Sequence, residues 1–505
     1  MNRIRVFFSA DGLKRILWAA FLVTLPVTSF PFFPPAFGGE ALVRPLSLYP
    51  LSLLVLLVII PRLIKKPLPG NLLALLPFVS VAVASSLLSL LRGVEPALGI
   101  SVTARVARGL TTLMIGCAIY LAIALLPEDK KDLRFTLRWI YTGGAIALLW
   151  GSLQAIYVVH FDPEWFGWLS RVQQYISYRR LLPERISGLT YEPHWFAEQI
   201  IVLLLPGLLA AVLTGYTVFN KRWRWLTIEW LLLIWAIILL PFTFSRSGVL
   251  NLILLLGASL LFFYKPAKKN LSKPSENPAE NPAPSQPSML SRLPVKLTLV
   301  ITLALIPIYL VGTRNPFFSR IWEYWGQENA NLPGYLSYLG FDARAAFGEA
   351  AYNAYLAYPF LGIGLGNYAF YFEEMLPYRP VAALPEILRL ITPEKGRDRL
   401  VTSKNFYLRL LSETGIIGTI AFFGFVITLC GSALYLWFAT EQEWRYWGIL
   451  SLNGLAAFTL SAMTFDSFVI PNMWVVFGLI TAATRLHSQA IHHSNASTAS
   501  GDQIK

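Results

Sequence analysis

A chain of 505 residues in which 14% are charged and 55% hydrophobic lacks the polar surface to cover several globular cores, so a soluble multidomain protein is excluded. The formal net charge of +14 does not indicate nucleic acid as a partner, because no basic, water-exposed domain of a nucleic-acid-binding type accompanies it. The two cysteines, Cys117 and Cys430, lie inside apolar runs, so neither a disulfide framework nor a metal site is indicated.

Apolar segments of roughly 17 to 25 residues, the length of a membrane-crossing helix, recur from residue 13 to residue 486. They predict about twelve spans, at 13–36, 45–63, 71–91, 106–126, 136–159, 195–215, 224–242, 247–264, 294–312, 405–438, 444–462 and 470–486. The first is broken by Pro26, Pro31 and Pro34, and it does not read as a removable leader, since further spans follow and a small-residue cleavage site is lacking. The expected fold class is all-α: a polytopic integral membrane protein with about twelve transmembrane helices and one large, partly helical extracytoplasmic loop.

Helices 1–8 are expected within 1–265 and helix 9 within 293–313, separated by a Pro-, Asn-, Ser- and Lys-rich segment, 266–292, that reads as a disordered cytoplasmic linker. The large outer loop covers 314–403, with aromatics at Trp322, Tyr324, Trp325, Tyr335 and Tyr338 and a helical stretch from Asp342 to Tyr358 ended by Pro359. Helices 10–12 fill 404–486, and 487–505 reads as a disordered cytoplasmic tail, with His487, His492 and His493 solvated rather than metal-binding. An inside N-terminus puts 23 of the 42 basic residues in inside segments and nine in the short outside loops, which predicts cytoplasmic N- and C-termini. No internal repeat is visible, which counts against a transporter or flippase of lipid-linked glycans.

Ionisable groups near membrane depth are costly and mark candidate function. In RISGLTYEPHWFAE, residues 185–198, Pro193 suits the first helical position, and His194 and Glu198 then lie one turn apart on one face, with Arg185 and Glu192 beside them. The short polar turn Ser245-Arg246-Ser247 sets one guanidinium, whose fork of donors matches phosphate oxygens, between two apolar stretches. Arg344 lies on the loop helix, ahead of the glycine-rich run from Pro359 to Asn367. That run follows a helix and lacks the phosphate-loop lysine, so it reads as a tight turn that brings backbone close to a substrate. Lys404 and Asn405, where the loop enters the tenth span, offer a cation and a hydrogen-bond donor; Asp466, in a short outer turn, reads as a cap.

Taken in order, Arg185 with Glu192-Pro193, Ser245-Arg246, Arg344, Pro359 to Asn367, and Lys404-Asn405-Phe406-Tyr407-Leu408 leading to Glu413-Thr-Gly415-Ile-Ile-Gly418 resemble the O-antigen polymerase and O-antigen ligase family of membrane glycosyltransferases. Where that family usually carries His, this chain has Lys404. The resemblance implies transfer of a glycan from a polyprenyl-pyrophosphate carrier, at the periplasmic face of the bacterial cytoplasmic membrane, to an acceptor hydroxyl, with no cofactor, metal or nucleotide sugar. The acceptor would be a second lipid-linked glycan for a polymerase, or lipid A core or a protein for a ligase. Membrane lipids and polysaccharide-assembly proteins are the other expected partners, and nucleic acid is not. Within that chemistry Arg185, Arg246, Arg344 and Asn405 are expected to bind pyrophosphate. Lys404 is expected as an electrostatic clamp, since a cation beside a polyanion stays charged, which leaves Glu192 or His194 as the base.

Overall fold

The computed structural model describes residues 10–34, 43–65, 67–219, 222–223, 226–263, 323–328, 330–377, 384–392 and 400–501, with isolated positions between 302 and 320. The linker expected at 266–292 and, apart from those isolated positions, the ninth span lie outside the described residues, as do 378–383 and 393–399 of the outer loop.

The chain is built from helices. The first, α1 (Ala10–Val23), is 14 residues long. It stops ahead of Pro26, and the chain beyond it runs extended, with Phe30 N–H donating to Arg44 O at 2.8 Å. Then come α2 (Leu48–Lys65), α3 (Gly70–Arg92), α4 (Val102–Leu125), α5 (Lys130–Val159) and the short outer helix α6 (Pro163–Gln173). After them follow α7 (Pro193–Thr214), a small hairpin of β1 (Arg222–Trp223) and β2 (Leu226–Thr227), α8 (Ile228–Thr243) and α9 (Arg246–Phe263). Between α9 and α13 the described residues hold α10 (Leu332–Tyr338), α11 (Phe341–Ala357) and α12 (Pro385–Ile391). The chain closes with α13 (Phe406–Trp437), α14 (Gln442–Ser461) and α15 (Pro471–Gly501).

Among the described residues six helices are long and apolar enough to cross a membrane: α2, α3, α4, α5, α7 and α13. That is half the number expected, although helices stand at eleven of the twelve expected places. α1 is cut short by its prolines, α8 and α9 are apolar but shorter, and α14 begins on Gln442, Glu443 and Arg445. The last helix does not end at the expected boundary: it runs past Arg485 to Gly501, which corrects the reading of 487–501 as disordered.

α7 is the centre. In its most apolar stretch 94% of residues are buried inside the protein, against 17% to 44% in the other five crossing helices. A helix that is apolar all round needs protein on every side, and α7 receives α14, α8, α5 and α15. α13 lies along α3 and α14, and α15 along α4.

Candidate active site

Glu192 is the last extended residue before α7, with φ −129°, and Pro193 starts the helix, so His194 falls in the first turn. The Glu192 carboxylate accepts a hydrogen bond from the Arg179 guanidinium at 2.6 Å and one from His194 Nδ1 at 2.9 Å. Burial pushes this carboxyl up, but the hydrogen bond and charge of His194, followed by those of Arg179, outweigh burial and hold it down at about 2. The two residues expected as alternative bases are therefore in contact and differ in role. In the neutral ring, with Nδ1 donating to Glu192, the second nitrogen of His194 carries the lone pair.

His194 lines a narrow cleft with Glu198, Ser245, Ser247, Asn251, Ser461 and Thr464. Glu198, one turn further along α7, is 7% exposed. One of its oxygens accepts from the Asn472 amide at 3.2 Å, while Oε2 is buried without a partner. Immediately after Glu198 the helix widens to π geometry over Gln199–Leu204, a distortion that recurs at functional sites. Sequence reading placed Glu198 on the face of His194 but did not select it, because its partner Asn472 comes from α15.

Across the cleft, Ser245 caps α9 by accepting from Gly248 N–H at 3.1 Å, which fixes Arg246 at the helix start. Arg246 donates to Leu339 O of the outer loop at 3.0 Å, and its electrostatic neighbours include Arg320 and Arg185, all of one sign, with Tyr335 and Tyr338. Three arginines thus act on one region, an arrangement suited to a polyanion. Arg320 was not legible in the sequence, since no motif surrounds it.

Arg344 and Lys404 form a separate group. Arg344 is exposed on α11. Lys404 reaches over the ring of Phe347 on the same helix, 4.1 Å from its centroid, and pairs with the Glu386 carboxylate of α12. Its backbone has φ +55° and is held by donation from Lys404 N–H to Asp466 Oδ2 at 2.7 Å. Asn405 caps α13: its Oδ1 accepts from Leu408 N–H at 3.1 Å and its Nδ2 donates to Met463 O at 3.3 Å. Both ends of that amide are engaged by the protein, which makes Asn405 the cap of α13.

The glycine-rich run corrects another expectation. α13 breaks at Gly415, with φ +64° and ψ −170°, and the turn 359–367 fits into the break. Ile363 and Gly364 N–H donate to Ser412 O and Glu413 O at 2.9 Å, while Ile416 and Ile417 N–H donate to Pro359 O at 2.8 Å and Phe360 O at 3.3 Å. The turn also sits on a serine stripe of α3: Leu365 N–H donates to Ser86 Oγ at 3.1 Å and Asn367 Nδ2 to Ser89 Oγ at 2.9 Å. The glycines bring backbone close to a helix break, not to a substrate. Beneath lies an ion network in which Arg409 pairs with Glu413 at 2.9 Å and donates to Asp466 O, while Arg105 donates to Gly366 O at 2.6 Å.

These features define a helical membrane protein in which the turn 359–367 is spliced into a crossing helix and His194, paired with Glu192, lines a cleft with the two serines that flank Arg246. Residues 231–423, less than half of the chain, match the family model described as O-antigen ligase, which supports the O-antigen ligase and polymerase resemblance. The match includes Arg246, Arg344, the glycine turn and Lys404, but not Glu192 or His194. The match supports activity of the O-antigen ligase and polymerase type in general. No curated protein matches the chain.

Proposed function

We propose that the chain transfers a glycan from a polyprenyl-pyrophosphate carrier to an acceptor hydroxyl on the outer face of the bacterial cytoplasmic membrane, joining repeat units of an exopolysaccharide or O-antigen. The single observation that carries this reading is the cleft lined by His194, whose ring pairs with Glu192, and by Ser245 and Ser247, the residues on either side of Arg246. In the reaction His194 takes the proton of the acceptor hydroxyl, whose oxygen bonds to the anomeric carbon as the bond from that carbon to the phosphate oxygen breaks. The polyprenyl pyrophosphate leaves with the bonding electron pair. Glu192 holds the imidazole in one orientation and stabilises its protonated form, the role a buried carboxylate takes beside a catalytic histidine. Glu198, one turn along α7, lines the same cleft. Arg246, Arg185 and Arg320 stabilise charge developing on the leaving pyrophosphate.

Arg344 and Lys404 serve this reading as a second cationic patch that receives the carrier's outer phosphate when the loop engages it. The ligase reading, with lipid A core or a protein as acceptor, is favoured by the description of the matching family and shares every step except the identity of the acceptor. Deleting the gene separates the two: surface glycan reduced to single repeats marks a polymerase, and free long chains mark a ligase. If Arg246→Ala and Arg344→Ala both left glycan assembly unchanged, the enzymatic reading would be lost.

A further inference from the structure

Beside the cleft the structure holds a group of exposed rings that the reaction above does not use. Phe32 and Tyr175 are each 61% exposed and lie nearly parallel, with centroids 6.3 Å apart and planes at 23°. Tyr178 is 55% exposed, and the guanidinium of Arg44, itself 4% exposed, lies 4.4 Å from its ring centroid. Tyr49 supports the group from behind: its ring meets Phe30 and Phe33 edge-on and its hydroxyl donates to Phe32 O at 2.8 Å.

The segment that leads to these rings is hydrogen-bonded to the one that leads to the His–carboxylate pair. Tyr178 N–H donates to Ser29 O at 2.8 Å, and Tyr191 N–H donates to Thr28 Oγ1 at 3.2 Å, so one extended segment, 28–30, carries both the rings and the approach to Glu192. Arg179, next to Tyr178, is the residue that holds Glu192.

We propose that Phe32, Tyr175 and Tyr178 form a stacking platform for the acceptor glycan, delivering its terminal hydroxyl to His194; this rests on the glycosyltransferase reading above. A pyranose ring presents a face of C–H groups to an aromatic π face and a rim of hydroxyls to polar neighbours. The platform has both parts, since the exposed polar residues Gln174 and Arg180 flank the two tyrosines in the chain. The exposed residues of 174–180 are Gln174, Tyr175, Tyr178 and Arg180, with no aliphatic side chain among them. That composition suits a sugar better than the acyl region of a bilayer, which would favour Leu and Ile beside the rings.

The test uses the full chain in detergent and, as probe, the free repeat oligosaccharide released by mild acid from the producing cell's own lipid-linked glycan. Saturation-transfer NMR is expected to show contact to the sugar ring protons, with affinity reduced about tenfold by Phe32→Ala with Tyr175→Ala, retained by Phe32→Tyr with Tyr175→Trp, and unaffected by Arg246→Ala. In transfer assays the alanine pair is expected to raise the acceptor KM by a similar factor and leave the donor KM unchanged. Sugar binding that is indifferent to the alanine pair overturns the platform, as does equal weakening of donor and acceptor. Unchanged sugar binding with impaired insertion into vesicles overturns it in favour of a membrane anchor. A chain that binds the sugar through these rings yet transfers nothing overturns the glycosyltransferase reading and leaves the platform standing.

Discussion

Replacing Gly362 by alanine tests how firmly the outer loop is joined to the crossing helices. Gly362 has φ +67°, and a Cβ there would lie 2.5 Å from both Ser412 O and the Glu413 carbonyl carbon and 2.6 Å from Gly415 N, all backbone atoms. The positive φ alone costs about 1 kcal/mol for a residue with a side chain. The overlap forces the turn out of the α13 break, which weakens the four backbone hydrogen bonds between 359–364 and 412–417, each contributing about 0.5–1.5 kcal/mol. The expected loss is therefore about 3–5 kcal/mol. Gly340→Ala is the matched control, because φ there is +77° and nothing lies within 4 Å of the new Cβ, so only the strain of about 1 kcal/mol applies. Thermal unfolding of the two purified variants in detergent reads the difference: Gly362→Ala is expected to unfold several degrees below Gly340→Ala. Equal midpoints would refute the splice as a structural joint.

Four further outcomes are expected. His194→Ala lowers the transfer rate about 10²–10⁴-fold with little change in donor affinity, measured as initial rates against donor concentration. Arg246→Lys, which keeps the charge but loses the fork of donors, retains part of the activity that Arg246→Ala abolishes in the same assay. Asn405→Ala destabilises the protein by about 1 kcal/mol in detergent unfolding through loss of the α13 cap, while donor KM stays unchanged. The Glu192 carboxyl is depressed in the folded state from an ordinary 4.5 to about 2, so the stability it contributes is fully present above pH 4.5 and is lost as pH falls towards 2. Unfolding followed across that window is expected to show a shallower acid dependence in Glu192→Gln than in the native chain.

Features set by local composition were legible in the sequence. Apolar runs marked where helices stand, Pro193 marked the start of α7, and the prolines after Val23 marked the end of α1. Counting spans was less secure, because α8 and α9 are apolar yet short, the first ending and the second starting at the tight turn through Phe244 and Ser245. The residues of the proposed site that sequence reading selected, Glu192, His194, Arg185 and Arg246, each stand in a local motif. The site was illegible where the partner arrives from elsewhere. Arg179 reaches Glu192 only because the outer segment folds back, and Asn472 reaches Glu198 from α15, 274 positions along the chain. The glycine turn was recognised as a close backbone approach, but its target, the break at Gly415, followed only from the fold. That one carbonyl-rich break needs a glycine on both sides explains why the two glycine motifs occur together.

The central claim is that clustered arginines and a His–carboxylate pair catalyse glycan transfer from a lipid pyrophosphate. The most direct measurement is release of polyprenyl pyrophosphate by the purified chain in detergent, with its lipid-linked glycan as donor and a second copy of that glycan as acceptor. The account predicts one carrier pyrophosphate released per glycosidic bond formed, lost in both His194→Ala and Arg246→Ala. Carrier that stays glycosylated in detergent, with glycan moving only when a membrane separates two compartments, would contradict it and leave a transporter in its place.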